Sequence, residues 1–283
     1  MRTGYRTQAQ HRRTARGRLH GVSGGGRRPA SRIDGGAVKV ALCTATMLGA
    51  GGPAAAQDLV LKPVLDARVR YEHADQAGLH PDANAVTARV RGGLSAKAGT
   101  LSGLIEAQGT LAPVGQYYDG LEGSAPPPLV ADPQNIALYR AQLQYKSGPL
   151  ALTAGRQRIQ LDDERFVGAV DFRQNGQTFD AVRLQYSGMA KVKVDLTYAW
   201  GVRTIWGIDG GGARQQAASG DNLLGNLGYA TPLGTVTAFA YLVDQDEAAL
   251  QGYRLSSQSY GGRLAGAHAF SEGAKLSYQA SFA

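Results

Sequence analysis

The chain has 283 residues, with 39 Gly, 13 Tyr, 3 Met, a single Cys and a formal net charge of +8. Beyond residue 56 no apolar run approaches the roughly 18 residues that a membrane-spanning helix needs, which excludes a helical membrane bundle. The basic excess lies wholly within residues 1–56, so the rest lacks the clustered bases of a nucleic-acid footprint, and no nucleic-acid partner is expected.

Residues 1–56 read as a basic N-terminal extension running into a signal peptide. A basic stretch ends at Lys39, an apolar run follows from Val40 to Ala50, and Ala54-Ala55-Ala56 offers a small-residue cleavage site before Gln57. The Arg- and Gly-rich part, Arg2 to Gly36, has neither helix nor strand periodicity. It reads as lying upstream of a true start at Val38, with a disordered basic arm as the alternative. Cys43 falls inside the apolar run, so residues 57–283 contain no cysteine. Disulfides and thiolate metal sites are thereby excluded, which suits export through an oxidising periplasm.

From residue 57 onward the pattern is strict apolar/polar alternation, the signature of strands with two different faces. Leu65, Ala67, Val69 and Tyr71 alternate with Asp66, Arg68, Arg70 and Glu72. Later, Val86, Ala88, Val90 and Leu94 oppose Thr87, Arg89, Arg91 and Ser95, and Ala137, Tyr139, Ala141, Leu143 and Tyr145 oppose Arg140, Gln142 and Gln144. Eleven such segments are predicted, at about 60–72, 85–97, 100–112, 135–146, 150–158, 178–187, 191–200, 222–230, 234–243, 258–268 and 274–282. Lengths near ten residues match tilted strands crossing a bilayer, whereas strands of soluble sandwiches average nearer five or six.

The connections alternate between short and long. Tight turns are predicted at Ala98-Gly99, Ser147-Gly148-Pro149, Ser187 to Ala190, Thr231-Pro232-Leu233 and Phe270 to Gly273. Between them lie long loops at roughly 73–84, 113–134, 159–177, 201–221 and 244–257. This alternation, with Tyr, Phe and Trp near segment ends, predicts an all-β, transmembrane antiparallel β-barrel of an outer membrane over residues 57–283. The polar face would line a lumen and the apolar face would meet lipid. With eleven strands the first and last would run parallel and could not close the barrel, leaving backbone groups unsatisfied in lipid. The barrel is therefore expected to be incomplete, truncated at its C-terminal end.

The stretch Gly155 to Leu184 reads GRQRIQLDDERFVGAVDFRQNGQTFDAVRL. Its GRQ, RFVG, FRQN and QTFDAVRL elements resemble the segment that marks the alginate-export family of outer-membrane porins, related to OprD-type specific channels. The resemblance implies an eighteen-stranded channel, of which about eleven strands are present here. It implies passive diffusion of hydrophilic solutes, small or polymeric, anionic and alginate- or uronate-like. It further implies residence in the bacterial outer membrane, contact with the lipid bilayer and lipopolysaccharide, and insertion by the barrel-assembly machinery.

The candidate pore-lining bases are Arg68, Arg70, Arg89, Arg91, Arg140, Arg156, Arg158, Arg183, Lys191 and Lys193. On a polar inner wall they would focus positive potential and favour an anionic small solute or polysaccharide. The other reading of the same residues is a ladder of ion pairs with Asp66, Glu72, Glu106, Asp180 and Asp195. Asp162, Asp163, Glu164, Arg165 and Arg173 lie in the 159–177 loop and would supply constriction charges if that loop folds inward. The adjacent acids lack the alternating spacing of a calcium loop, so no metal and no cofactor is expected. Only His73, His80 and His268 are available beyond the leader as imidazole bases; the first two have no serine nearby in sequence, and His268 near Ser271 is alone a weak catalytic signal. A channel rather than an enzyme is therefore expected, with a structural or enzymatic barrel as the alternative.

Overall fold

The computed structural model describes residues 58–121, 127–246 and 256–283. The predicted leader, Cys43 and the Ala54-Ala55-Ala56 site lie outside these described residues. Eleven strands follow one another: β1 (Val60–Gln76), β2 (Leu79–Ala98), β3 (Leu101–Gln116), β4 (Asn135–Ser147), β5 (Leu150–Gln157), β6 (Thr178–Tyr186), β7 (Val192–Arg203), β8 (Ala217–Thr231), β9 (Gly234–Gln245), β10 (Ser257–Ser271) and β11 (Ala274–Phe282). One 3-10 turn, Gly212–Arg214, sits in the β7–β8 connection. The strands form one antiparallel sheet in sequence order, so each is hydrogen-bonded to the strand before and the strand after it. Among the described residues β1 and β11 each pair on one side only.

Alternation in the sequence becomes an inverted distribution of burial. On β2, Thr87, Arg89 and Arg91 are buried, and on β3 so are Glu106, Gln108 and Thr110. The apolar residues between them face outward: Leu65 is 79% exposed, Val69 74%, Leu143 71% and Ile136 69%. In water this arrangement would expose a large apolar patch while desolvating charges, two costs with no return. In a bilayer the exposed apolar face is the stable one, and the ladder satisfies the backbone of β2 to β10 on both sides.

The sheet curls around its polar face. Gln174 in the β5–β6 loop accepts from Arg68 on β1, and Asp162 in the same loop pairs with Arg263 on β10. Nine strand spacings separate β1 from β10 in the sheet order, roughly 43 Å if flat. Twelve residues reach at most about 42 Å fully extended, and this loop turns back at Leu161–Glu164 and again at Val170–Arg173. Only a curved wall brings both strands within its reach.

Two sequence expectations change. The long loop predicted at 73–84 is a continuation of the β1–β2 hairpin, which closes in a tight turn at Ala77-Gly78. Positions 73–84 offer polar residues and a proline, which mask the alternation although the backbone pairs as His73↔Asn84 and Ala74↔Ala83 and, after an irregularity, as Gln76↔Leu79. Tyr139, assigned to the apolar face, is instead buried on the polar side at 3% exposure. The reason is a β-bulge: Glu106 pairs with Arg140 and Ala107 with Leu138, leaving Tyr139 as the extra residue. A bulge shifts the phase by one, so Ile136 and Leu138 replace Ala137 and Tyr139 on the outer face.

Candidate functional site: a loop laid across the polar face

Strand β5 is short because the chain turns inward at its end. Gly155 has a φ of +107°, a conformation open to glycine, and a side chain there would collide with the Ala141 carbonyl oxygen. Gln157 then folds inward and donates to the carbonyl of Ala181 at 3.0 Å. From here residues 158–177 run across the inner face before β6 begins.

The first half of the loop is held by apolar contacts. Ile159, Leu161 and Val167 are buried against Phe179, Ala181, Ala199, Leu224, Phe239 and Tyr241. Phe166 packs with its ring centre 5.4 Å from Phe239 and 5.9 Å from Tyr241. These wall residues sit where the alternation calls for polar groups, and the loop explains them: each pairs with an apolar loop side chain. Burial of each large one is worth about 1.5–3 kcal/mol.

The second half is held by directed hydrogen bonds. Gln174 donates to the carbonyl and hydroxyl oxygens of Thr87, both at 2.9 Å. The Asn175 carbonyl oxygen accepts from Gln108 at 2.9 Å and Thr110 at 2.8 Å, and its amide donates to the Pro133 carbonyl at 2.8 Å. Fully buried Asp132 accepts from the Gln174 backbone N–H at 2.7 Å and pairs with Arg70 and Arg173. Tyr117 donates to the Asp132 carbonyl at 2.9 Å, and burial lifts its phenol to about 12. Arg68 donates to three successive loop carbonyls, those of Asp171, Phe172 and Arg173. Asp132, Gln174, Asn175, Thr87, Gln108 and Thr110 were not anticipated as site residues. The signal was present in the FRQN element and in the uncharged amides and hydroxyls on the polar phase of β2 and β3.

Most of the candidate arginines are paired. Arg89 pairs with Asp66, Arg70 with Glu72, Arg140 with Glu106 at 2.6 Å, and Arg183 with Asp195 at 2.6 Å. Arg156 pairs with Asp180 at 2.8 Å and caps the Leu138 carbonyl, but it shares its strand phase with Leu152 and Ala154, on the apolar side. Arg158 lies beyond β5 and pairs with Asp171 in the loop. Lys191 is exposed in the tight turn before β7, and Lys193 follows it on an exposed position near Asp195. Two inner arginines have no carboxylate partner among the described residues. Arg68 is bound by the loop carbonyls, and Arg91 by Gln108 at 2.7 Å and by the Tyr139 ring, 3.7 Å from its guanidinium carbon.

The acidic run of the loop is dispersed rather than gathered. Asp162 accepts from Asn226 and Tyr241 and pairs with Arg263, Asp163 caps the Arg165 N–H, and Glu164 accepts from Gln160 and the Ala169 N–H. Arg165 lies 5.8 Å from the Phe166 ring, and Arg173 lies 3.6 Å from Glu72. The loop thus brings carboxylates and guanidinia to the inner face, with each acid already engaged.

The family profile described as "Alginate export" matches residues 64–209, just over half of the chain. No curated protein matches it. Among solved structures, OccAB3 of Acinetobacter baumannii superposes with a TM-score of 0.53 at 14% identity, over 76% of this chain and 55% of that one. OpdK of Pseudomonas aeruginosa with vanillate (TM-score 0.36, 13% identity, 74% and 62% covered) and OpdL of the same organism (0.31, 15%, 74% and 58%) also match. The chain spans between 55% and 62% of the length of these structures. With an outward apolar face, an inner polar wall and this profile match, the chain belongs to the alginate export family of porin-like β-barrels of the bacterial outer membrane.

Proposed function

We propose that the protein is a passive channel for hydrophilic solutes with a preference for anions, uronate-like carboxylates among them, whether single sugars or one extended polymer strand. The observation that carries this reading is the pair Arg68 and Arg91, inner-face guanidinia without a carboxylate partner among the described residues. The paired arginines are close to electrically neutral ladders, so surplus potential comes from these two in the wall, joined by Arg165 in the loop, whose guanidinium meets only the Phe166 ring among the described residues. Walls of low dielectric constant strengthen that potential within a narrow passage.

The test uses the full-length protein in planar bilayers under a salt gradient. A reversal potential favouring anions is expected, and Arg91→Gln should move it toward cations more than Arg140→Gln or Arg183→Gln does. The differences should shrink at high salt as screening shortens the reach of wall charges. Cation preference in the unaltered protein, or no response to Arg91→Gln in a correctly folded barrel, would overturn the anion reading. Absence of any conductance would favour a structural barrel.

A further inference from the structure

Beside the loop's apolar anchor lies a cavity of about 460 Å³, within the size range of small-ligand sites. It opens between the 158–177 loop, the β7–β8 connection and the loop-side ends of β6 to β9. Its wall is apolar and aromatic, with Phe166, Phe179, Trp206 and Leu224 prominent, and none of its lining residues carries a charge. This is anomalous on a face otherwise built from arginines and carboxylates. A charged solute entering it would lose hydration without gaining a partner.

Polar groups are present, and two of them are unmet acceptors. The side-chain carbonyl oxygens of Gln215 and Gln245 line the cavity, are buried, and have no hydrogen-bond partner. Gln245 is only 9% exposed, and its amide nitrogen is already committed to Asn222 at 2.8 Å. Its oxygen is therefore held in place by that bond and offers only acceptor capacity. A buried acceptor left unmet costs free energy that a ligand with a donor recovers.

We propose that this cavity binds an uncharged, hydroxyl-bearing ring: its apolar face lies against Phe166 and Trp206, and its hydroxyl groups donate to Gln215 and Gln245. A neutral phenol and a neutral pyranose share this chemistry. The site rests on the channel reading only for the route by which a solute reaches it. Binding is accordingly measured without conduction, so a failure of one reading is distinguishable from a failure of the other.

Trp206 reports the site directly, since the chain has two tryptophans and Trp200 lies outside the cavity. In the protein carrying Trp200→Phe, with a Trp200→Phe/Trp206→Phe blank subtracted so that only Trp206 is read, fluorescence is titrated with 4-methylphenol, methyl glucopyranoside, 4-methylanisole and benzoate. A saturable change with 4-methylphenol or with the glucoside is expected, and whichever responds identifies the source of the ring. Gln215→Leu should weaken that binding about 2- to 10-fold, the loss of one neutral hydrogen bond. The anisole, which has no donor yet partitions more readily into lipid, should bind more weakly than the phenol and be indifferent to Gln215→Leu. No saturable change with either hydroxylated ring, anisole binding as tight as the phenol, or benzoate as the tightest of the four would each overturn the proposal.

Discussion

The two ends of the 158–177 loop are fastened to the wall by opposite physics. The end at Ile159 to Val167 is held chiefly by apolar packing on β6 to β9, with Asp162 as its polar tether to the wall, and the end at Asp171 to Asn175 by hydrogen bonds to β1 to β3 and Asp132. Apolar burial is non-directional, so such a contact tolerates small shifts and reshaping. A buried amide that must meet two or three partners tolerates almost none, because each missed bond leaves a desolvated group. The contrast teaches a division of work: the apolar end supplies adhesion, and the polar end sets where the loop lies in the lumen.

The strongest break is expected at Asp132→Ala. Asp132 is fully buried, caps the Gln174 N–H and faces Arg70 and Arg173, so its loss should cost about 3–5 kcal/mol. The polar end should detach while the barrel stays folded, seen as trypsin cleavage after Arg173 with heat-modifiable gel mobility retained. Continued protease resistance at Arg173 would show that the apolar end alone positions the loop.

Ile159→Ala tests the opposite end. It removes a wholly buried side chain at a cost of about 2–4 kcal/mol, yet leaves every bond of Gln174 and Asn175 in place. Cleavage is expected after Arg165 and not after Arg173. Equal sensitivity at both sites would mean that the two anchors act as one unit. Asn175→Ala lies between these cases in kind but below them in size, at about 1–3 kcal/mol, because Gln108, Thr110 and Pro133 each lose one partner. It should loosen the Arg173 site mildly, and coupling with Asp132→Ala in a double-mutant cycle should exceed 0.5 kcal/mol.

The smallest effect is one of pH. The Tyr117 phenol is raised to about 12 from its ordinary value near 10, so the folded state holds its proton more tightly than the unfolded state does. Its contribution is complete below pH 10 and is lost as pH rises through about 12, the window set by those two values. Amide protection at the polar end, corrected for the base-catalysed intrinsic rate, should fall within that window and stay level at the apolar end. Tyr117→Phe should remove the step; a step that survives in this variant must come from another group.

Strand positions were legible because period-two alternation is enforced by the bilayer on one side and water on the other. Nine of the ten predicted connections fall between the observed strands, and only the 73–84 region was misread, where polar residues on both faces hide a paired backbone. Ion pairing was legible as one of two open readings, since Asp66, Glu72, Glu106, Asp180 and Asp195 all find arginine partners. What could not be read was the loop's destination. Gln174 and Asn175 are unremarkable in composition, and their partners lie 42 to 106 positions away. Tyr139 was misplaced for a related reason: the bulge there changes phase through backbone geometry that no periodicity reports.

The β1–β2 hairpin has a further consequence. Its strands run 17 and 20 residues, where about 9–11 suffice to cross a bilayer. At roughly 3.3 Å per residue and a tilt near 45°, the longer one rises about 47 Å, against a hydrocarbon thickness near 30 Å. The excess emerges on the loop side as a stiff two-stranded mast ending at Ala77-Gly78. Pairing with β3 ends at Asn84↔Gln116, so from Ala74 to Ala83 the hairpin is a two-stranded ribbon with no third strand beside it among the described residues.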